Sequence, residues 1–152
     1  MKNAADRLEE LRRSRERTSC TDDRLYGIDG KICELEERPR PSTYQRTYAG
    51  ELKDRQQILE AQQEQRRAQE EQEERELSDL IGRIRNRRWR EILTALYIEG
   101  ATLYDATAQL YAEKIRQTGK PVASFTAKAH RMRVAALEEL NRIQSGSSGP
   151  DV

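Results

Sequence analysis

The sequence predicts an all-α protein, with an elongated, coiled-coil-like helical arm followed by a C-terminal helix-turn-helix bundle. Helix-favouring Glu, Gln, Arg and Ala fill long segments, and prolines occur only at positions 39, 41, 121 and 150. Hydrophobic residues make up 35% of the chain and charged residues 36%, which is too little apolar material for one core through all 152 residues. Apolar residues concentrate between Trp89 and Leu140, so we expect a compact core there.

Composition excludes several classes of protein. No apolar run approaches the roughly 20 residues that cross a bilayer, and the first ten residues lack the apolar core of a signal peptide. We therefore expect a cytoplasmic protein. Cys20 and Cys33 cannot build a disulfide framework or a four-cysteine zinc site, and we interpret both as reduced. With His130 as the single histidine and no phosphate-binding glycine loop, we expect no enzyme activity, no cofactor and no metal.

The charges divide the chain. The net charge is +1, yet residues 80–144 carry twelve Lys or Arg against six Asp or Glu, whereas residues 1–79 carry sixteen against twenty. A basic C-terminal region indicates an end that faces nucleic acid, although chance variation on solvated helices is the alternative.

The first segment, residues 1–43, is predicted to hold two helices. The first helix ends near Arg17, with a break over Thr18–Thr21, and the second ends at the prolines at 39 and 41. The second helix carries an apolar stripe at coiled-coil spacing, which needs a partner. We expect this stripe to pack against residues 44–59 in an antiparallel hairpin, with a homodimer through the arm as the alternative. The stripe consists of Leu25, Ile28, Ile32 and Leu35.

Residues 44–85 are predicted to form one long charged helix. Between Glu60 and Glu76 no apolar residue is larger than Ala, while several Glu–Arg pairs stand three or four residues apart. We interpret this stretch as a solvated helical rod. Disorder and a loosely paired coiled coil are the alternatives, although the stretch has no recognisable apolar stripe at coiled-coil spacing.

Residues 86–144 are predicted to fold as three helices, and residues 145–152 to form a disordered tail. Gly100 is expected to end the first helix, Thr102 to cap the second, and Gly119 to act as a helix stop before a third helix that starts near Ser124. Helix, tight break, helix, connection and basic helix are typical of a helix-turn-helix unit. We expect one buried cluster of Trp89, Ile92, Leu96, Leu103, Leu110, Met132, Ala136 and Leu140.

The stretch YIEGATLYDATAQL, followed by FTAKAHRMRVAALEEL, resembles the C-terminal module of sigma factors (region 4) and the ArpU-like phage regulators. The resemblance covers about the last third of the chain. It implies a transcription regulator of phage or prophage origin that binds double-stranded DNA in a bacterial host. The alternative is a non-enzymatic interaction protein whose arm binds RNA polymerase or another protein. The residues that carry the resemblance are Tyr97, Ile98, Glu99, Gly100, Asp105, Leu110, Ala136, Leu137 and Leu140.

The third helix provides the candidate DNA contacts. Helical spacing turns Ala129 and Met132 towards the core and Arg131 away from it, and early residues of a recognition helix reach base edges. Arg131 is therefore the first candidate for a base contact, and small Ala127 would let the helix lie deep in the groove. Thr126, Lys128 and His130 are expected beside Arg131, and phosphate contacts are expected from Arg133, Arg87, Arg88 and Lys120.

Overall fold

The computed structural model of the chain describes residues 2–40 and 42–146, and within them it contains helices and no strands. The all-α prediction is confirmed. No helix in this part of the chain is long and apolar enough to cross a membrane. The helices are α1 (Ala4–Glu36), α2 (Thr43–Gly82), α3 (Arg87–Leu93), α4 (Leu103–Leu110), α5 (Ala112–Thr118) and α6 (Thr126–Ser145), with a π-helical turn at Thr94–Ile98 and a 3₁₀ turn at Val122–Phe125.

The chain divides into two compact units. The hairpin unit comprises Arg13–Glu71, and the terminal unit combines Met1–Arg12 with the chain from Gln72 onwards. Helices α1 and α2 each contribute to both units.

In the hairpin unit, α1 and α2 pair in antiparallel orientation. Near their connection, Ile32 and Leu35 of α1 form a buried cluster with Ala49 and Leu52 of α2, and Ile28 packs against it. The expected packing of the apolar stripe on residues 44–59 of the same chain is confirmed for Ile28, Ile32 and Leu35, whereas Leu25 is half-buried and does not belong to this cluster. Burying such side chains stabilises the pairing by roughly 1.5–3 kcal/mol each.

Farther from the connection, the same two helices meet through polar side chains. Glu70 accepts hydrogen bonds from the hydroxyls of Ser14 (2.5 Å) and Thr18 (2.8 Å). Gln63, only 5% exposed, donates to the Thr18 carbonyl (3.4 Å) and to the Asp22 carboxylate. The stretch Glu60–Glu76 is thus helical, but the interpretation as a solvated rod is wrong. The side chains just described pair this part of α2 with α1, and we call them the polar seam.

The predicted break at Thr18–Thr21 is also wrong, because α1 is continuous through it. Threonine disfavours a helix partly because its hydroxyl competes for backbone hydrogen bonds. Here the Thr18 hydroxyl donates to Glu70, and the Thr21 hydroxyl donates to the Arg17 carbonyl of the preceding turn (3.0 Å). With both hydroxyls satisfied inside the paired helices, neither residue ends the helix.

The terminal unit contains the largest core. The first turns of α1 and the last turns of α2 contribute Leu8 and Leu77, both 0% exposed, and the C-terminal helices contribute Ile92, Leu93 and Leu140, also 0% exposed. Of the expected cluster, Ile92, Leu96, Ala136 and Leu140 are buried. The other four residues are partly exposed and pack against this same core, so the predicted common cluster is confirmed; they are Trp89, Leu103, Leu110 and Met132.

Two predicted helix ends, at Gly100 and Gly119, and one predicted helix start, at Thr102, agree with the structure in this unit. Gly100 has φ = 75° and Gly119 has φ = 68°, the left-handed conformation that glycine adopts without a Cβ clash. The Thr102 hydroxyl accepts from the Asp105 backbone N–H (3.1 Å) and caps α4.

Three boundaries differ from the expectation. The predicted second helix is divided at Tyr111 into α4 and α5, and the third helix starts at Thr126 after a 3₁₀ turn rather than near Ser124. The predicted tail, residues 145–152, begins within α6, because Ser145 is helical and Gly146, with φ = 79°, ends the helix; residues 147–152 lie outside the described residues.

A π-helical turn at Thr94–Ile98 was not predicted. The Glu99 N–H donates to the Thr94 carbonyl (2.8 Å), one residue farther than in an α-helix. This wider turn narrows the angle between successive side chains, and three consecutive residues are buried there: Ala95, Leu96 and Tyr97.

Candidate nucleic-acid interface

Helix α6 has one face in the core and an opposite face in solvent. Ala129, Ala136 and Leu140 are 0% exposed, whereas Ala127 and Arg131 are exposed, as helical spacing predicts. The small exposed side chain at Ala127 leaves room beside Arg131 for an approaching surface. The contacts of α3 and α4 with the buried face hold the helix in place.

Arg131 is available for binding. Within residues 2–40 and 42–146, its guanidinium makes no hydrogen bond, ion pair or ring contact. Such a guanidinium offers five N–H donors in a rigid planar arrangement, which matches a guanine edge or a phosphate. Neighbouring His130 is also exposed.

An aromatic pair connects the start of α6 with the start of α3. The rings of Tyr111 and Phe125 stack with centroids 5.2 Å apart and planes 17° from parallel. The Arg88 guanidinium lies 5.2 Å from the centroid of the Tyr111 ring, and the Lys128 ammonium lies 5.8 Å from that of Phe125. Each cation–π contact contributes about 0.5–1 kcal/mol at an exposed site.

This arrangement brings together two of the predicted contacts, Arg88 and Lys128, which are far apart in the sequence. Both side chains stay exposed while their charged groups contact the aromatic rings. Sequence reasoning missed the role of Tyr111 and Phe125. Phe125 and Lys128 are three residues apart at the start of a helix, and this spacing could have indicated the contact between Lys128 and the Phe125 ring.

Of three other predicted DNA contacts, two already bond within the chain and the third lies apart from the other candidates. Arg87 is exposed, but its Nε donates to Glu91 at 2.9 Å. The Thr126 hydroxyl donates to the Ala123 carbonyl at 2.9 Å, so it serves the turn before α6. Lys120 is exposed beside the left-handed end of α5, and no contact connects its side chain to the other predicted residues.

Arg133 differs most from the expectation of a phosphate contact. Its Nε is buried without a hydrogen-bond partner among the described residues, and Nη2 lies 3.1 Å from His130 Nδ1. Its positive charge lies near Tyr97, whose hydroxyl donates to Glu9 at 3.1 Å. Burial and then the Glu9 charge raise the pKa of Tyr97, and the Arg133 charge partly opposes them. Arg133 is thus partly buried on the side of α6 that faces the π-helical turn.

The described residues offer no group of three or more His, Cys, Asp or Glu side chains that could hold a metal ion. The arrangement consists of exposed cations on a rigid helical support. Such an arrangement can bind anions and the edges of bases.

Comparison of the chain with protein-family models, with curated proteins and with solved structures gives no match in any of the three. The resemblance to sigma region 4 and to the ArpU-like regulators therefore stays a prediction.

Proposed function

We propose that the chain is a DNA-binding transcriptional regulator, of phage or prophage origin, which inserts the first turns of α6 into the major groove. The observation that carries this proposal is the placement of Arg88, Lys128 and Arg131. Two of these cations are held by the Tyr111–Phe125 stack, and the third extends from the solvent face of α6.

The three cations would contact different parts of the DNA. Arg131 would contact a base edge, where a bidentate contact discriminates one base pair by about 1–3 kcal/mol. Lys128 and Arg88 would contact phosphates, which position the protein without reading sequence. The excess of basic residues between positions 80 and 144 supports the same reading. Under this proposal the protein acts in the bacterial cytoplasm, without a cofactor and without catalysis.

The experiment selects bound duplexes from a random DNA pool and then measures binding by fluorescence anisotropy at several salt concentrations. Arg131→Ala should weaken binding to the selected site by about 1–3 kcal/mol and flatten the preference at one base pair. Lys128→Ala should weaken binding to all sequences alike and reduce the salt slope by about 1. Arg55→Ala is a matched control, because Arg55 is exposed on α2 in the hairpin unit.

Two results would reject the proposal. One is the absence of salt-sensitive binding to any duplex by the folded protein. The other is binding by Arg131→Ala and Lys128→Ala that equals the wild type in affinity and selectivity.

A second candidate function is supported by the hairpin unit. Tyr26 is 85% exposed, and Tyr44 is 77% exposed and stacks on Tyr48 with ring centroids 6.3 Å apart. Exposed tyrosines are frequent in protein–protein interfaces. On this reading the arm binds RNA polymerase, another protein or a second copy of the chain, and the terminal unit has a structural role. Retention of partner binding by a Tyr26→Ser and Tyr44→Ser variant would count against it.

A further inference from the structure

The terminal unit has a cleft at the end of α6 opposite to the proposed DNA contacts. Its volume is about 750 Å³. We call it the arginine cleft; the lining residues used below are Arg83, Arg85, Trp89, Glu139, Arg142 and Ile143. Arg142 stands eleven residues after Arg131 on α6, which corresponds to about 16 Å along the helix. None of the proposed DNA contacts Arg88, Lys128 and Arg131 lines the cleft, although Arg88 is the chain neighbour of Trp89.

The charge of the cleft is unbalanced. Three arginines face one carboxylate, and that carboxylate, Glu139, is already paired with Arg142 at 2.5 Å. Arg83 and Arg85 are exposed, and their side chains have no hydrogen bond or ion pair within the described residues. Two guanidinium groups are thus left with positive charge and donors for an acidic ligand.

The backbone that carries these two arginines is fixed in place. The Arg90 guanidinium donates to the carbonyls of Ile84 (2.5 Å) and Arg85 (3.0 Å). The Asn86 side chain accepts from the N–H groups of Arg88 (3.0 Å) and Trp89 (3.3 Å), and so caps α3. A ligand would therefore lose less entropy on binding than with a mobile loop.

Part of the cleft lining is apolar. Ile143 and the ring of Trp89 are half-buried and line the cleft together with Ile84, which is 1% exposed. Trp and Arg together are the residue types most enriched at sites that dominate binding energy in protein interfaces.

We propose that the arginine cleft binds an acidic peptide segment of a partner protein, with an aliphatic side chain against Trp89 and Ile143 and carboxylates on Arg83 and Arg85. A DNA duplex fits this surface less well. Its phosphates could pair with the arginines, but its outer surface is phosphate and sugar, and its thymine methyl groups lie inside the major groove, away from Trp89 and Ile143. This inference does not depend on DNA binding.

Trp89 is the only tryptophan of the chain, so its fluorescence reports directly on the cleft. The full-length protein is titrated with an acetylated and amidated peptide of sequence EDLEDLLEDLED. We expect a saturable change in Trp89 emission that weakens with added salt. The basic peptide KKLKKLLKKLKK and the leucine-free peptide EDSEDSSEDSED should give no saturable change.

The variant for the test carries Arg83→Glu and Arg85→Glu, and it should bind the acidic peptide roughly tenfold more weakly. The matched control carries Arg46→Glu and Arg55→Glu, a pair of exposed arginines outside the cleft, and it should bind like the wild type. Both variants should keep the helical circular dichroism of the wild type, because all four side chains are exposed.

The proposal is overturned if the acidic peptide leaves Trp89 emission unchanged, if the leucine-free peptide binds equally well, or if the double variant binds as tightly as the control. It is also overturned if a DNA duplex competes with the peptide and the double variant loses DNA binding. That last result would assign the cleft to nucleic acid.

Discussion

Gln63 offers a test of the polar seam, and we expect Gln63→Leu to leave the stability of the protein almost unchanged although it removes two hydrogen bonds. Gln63 is 5% exposed, between α1 and α2. Its substitution removes a long hydrogen bond to the Thr18 carbonyl (3.4 Å) and one to the Asp22 carboxylate. The side-chain exposure of Asp22 is 48%, and it keeps an ion pair with Arg67 at 2.9 Å.

The magnitude follows from two opposing contributions. Burying a leucine side chain contributes about 1.5–3 kcal/mol, and losing the two hydrogen bonds costs about 0.5–1.5 kcal/mol each. No polar atom is left buried without a partner, because the Thr18 carbonyl retains its helical hydrogen bond and Asp22 retains Arg67 and water. The two ranges almost cancel, so we expect the free energy of unfolding to change by less than about 1 kcal/mol, which corresponds to a change in Tm of less than about 2–4 °C.

Urea unfolding followed by far-ultraviolet circular dichroism measures the change in free energy. Gln62→Leu is the control, because Gln62 is the exposed neighbour on the same helix and its substitution should change stability by less than about 0.5 kcal/mol. Light scattering must show the same oligomeric state for both variants, since polar core residues can specify that state. A loss of more than about 1 kcal/mol in Gln63→Leu alone would refute this reasoning.

Three further predictions concern the terminal unit. Because the pKa of Tyr97 is raised above its ordinary value of 10.0, its contribution to stability is complete below pH 10 and is lost as the pH rises through the raised pKa. Thermal melts from pH 8 to pH 11 should accordingly show a shallower alkaline decline for Tyr97→Phe, which keeps the ring but loses the bond to Glu9; an equal decline would contradict this. Leu140→Ala, at a fully buried position, should cost about 2–5 kcal/mol in urea unfolding, and Leu110→Ala, at a partly exposed one, clearly less. Gly119→Ala should lower stability by about 1 kcal/mol because of its positive φ, and a stabilised variant would show that the end of α5 adapts.

Local features of the fold could be predicted from the sequence. The glycines at positions 100 and 119 and the cap at Thr102 are determined by neighbouring residues, and the structure has them as expected. The Tyr111–Phe125 stack could not be predicted in this way, because the ring of Tyr111 meets Phe125 only after α5 has reversed the chain. The contact of Arg88 with Tyr111 depends in turn on how α3 packs.

The polar seam shows why the pairing of α1 with the charged part of α2 could not be recognised from apolar residues alone. Along residues 43–71 of α2, the buried and half-buried positions apart from Tyr48 form one series, in which successive members are alternately four and three residues apart. That series is Gln45, Ala49, Leu52, Gln56, Leu59, Gln63, Arg66 and Glu70. The spacing is that of a coiled coil, and three of the eight residues, Gln63, Arg66 and Glu70, lie in the stretch that sequence reasoning assigned to solvent.

The polar and apolar parts of the hairpin also restrict its register. If α2 slipped by one heptad in one direction, Ser42 and Gln45 would replace Ala49 and Leu52 beside the buried Ile32 of α1.

A slip in the other direction would place Gln56 where Ala49 lies and would remove Glu70 from the hydroxyls of Ser14 and Thr18. Each alternative register thus loses apolar burial at one end or hydrogen bonds at the other. Polar groups in a helical seam often lower stability while they exclude wrong pairings. A Gln63→Leu variant that keeps both the stability and the register of the wild type would show that the remaining residues of the seam suffice to specify that register.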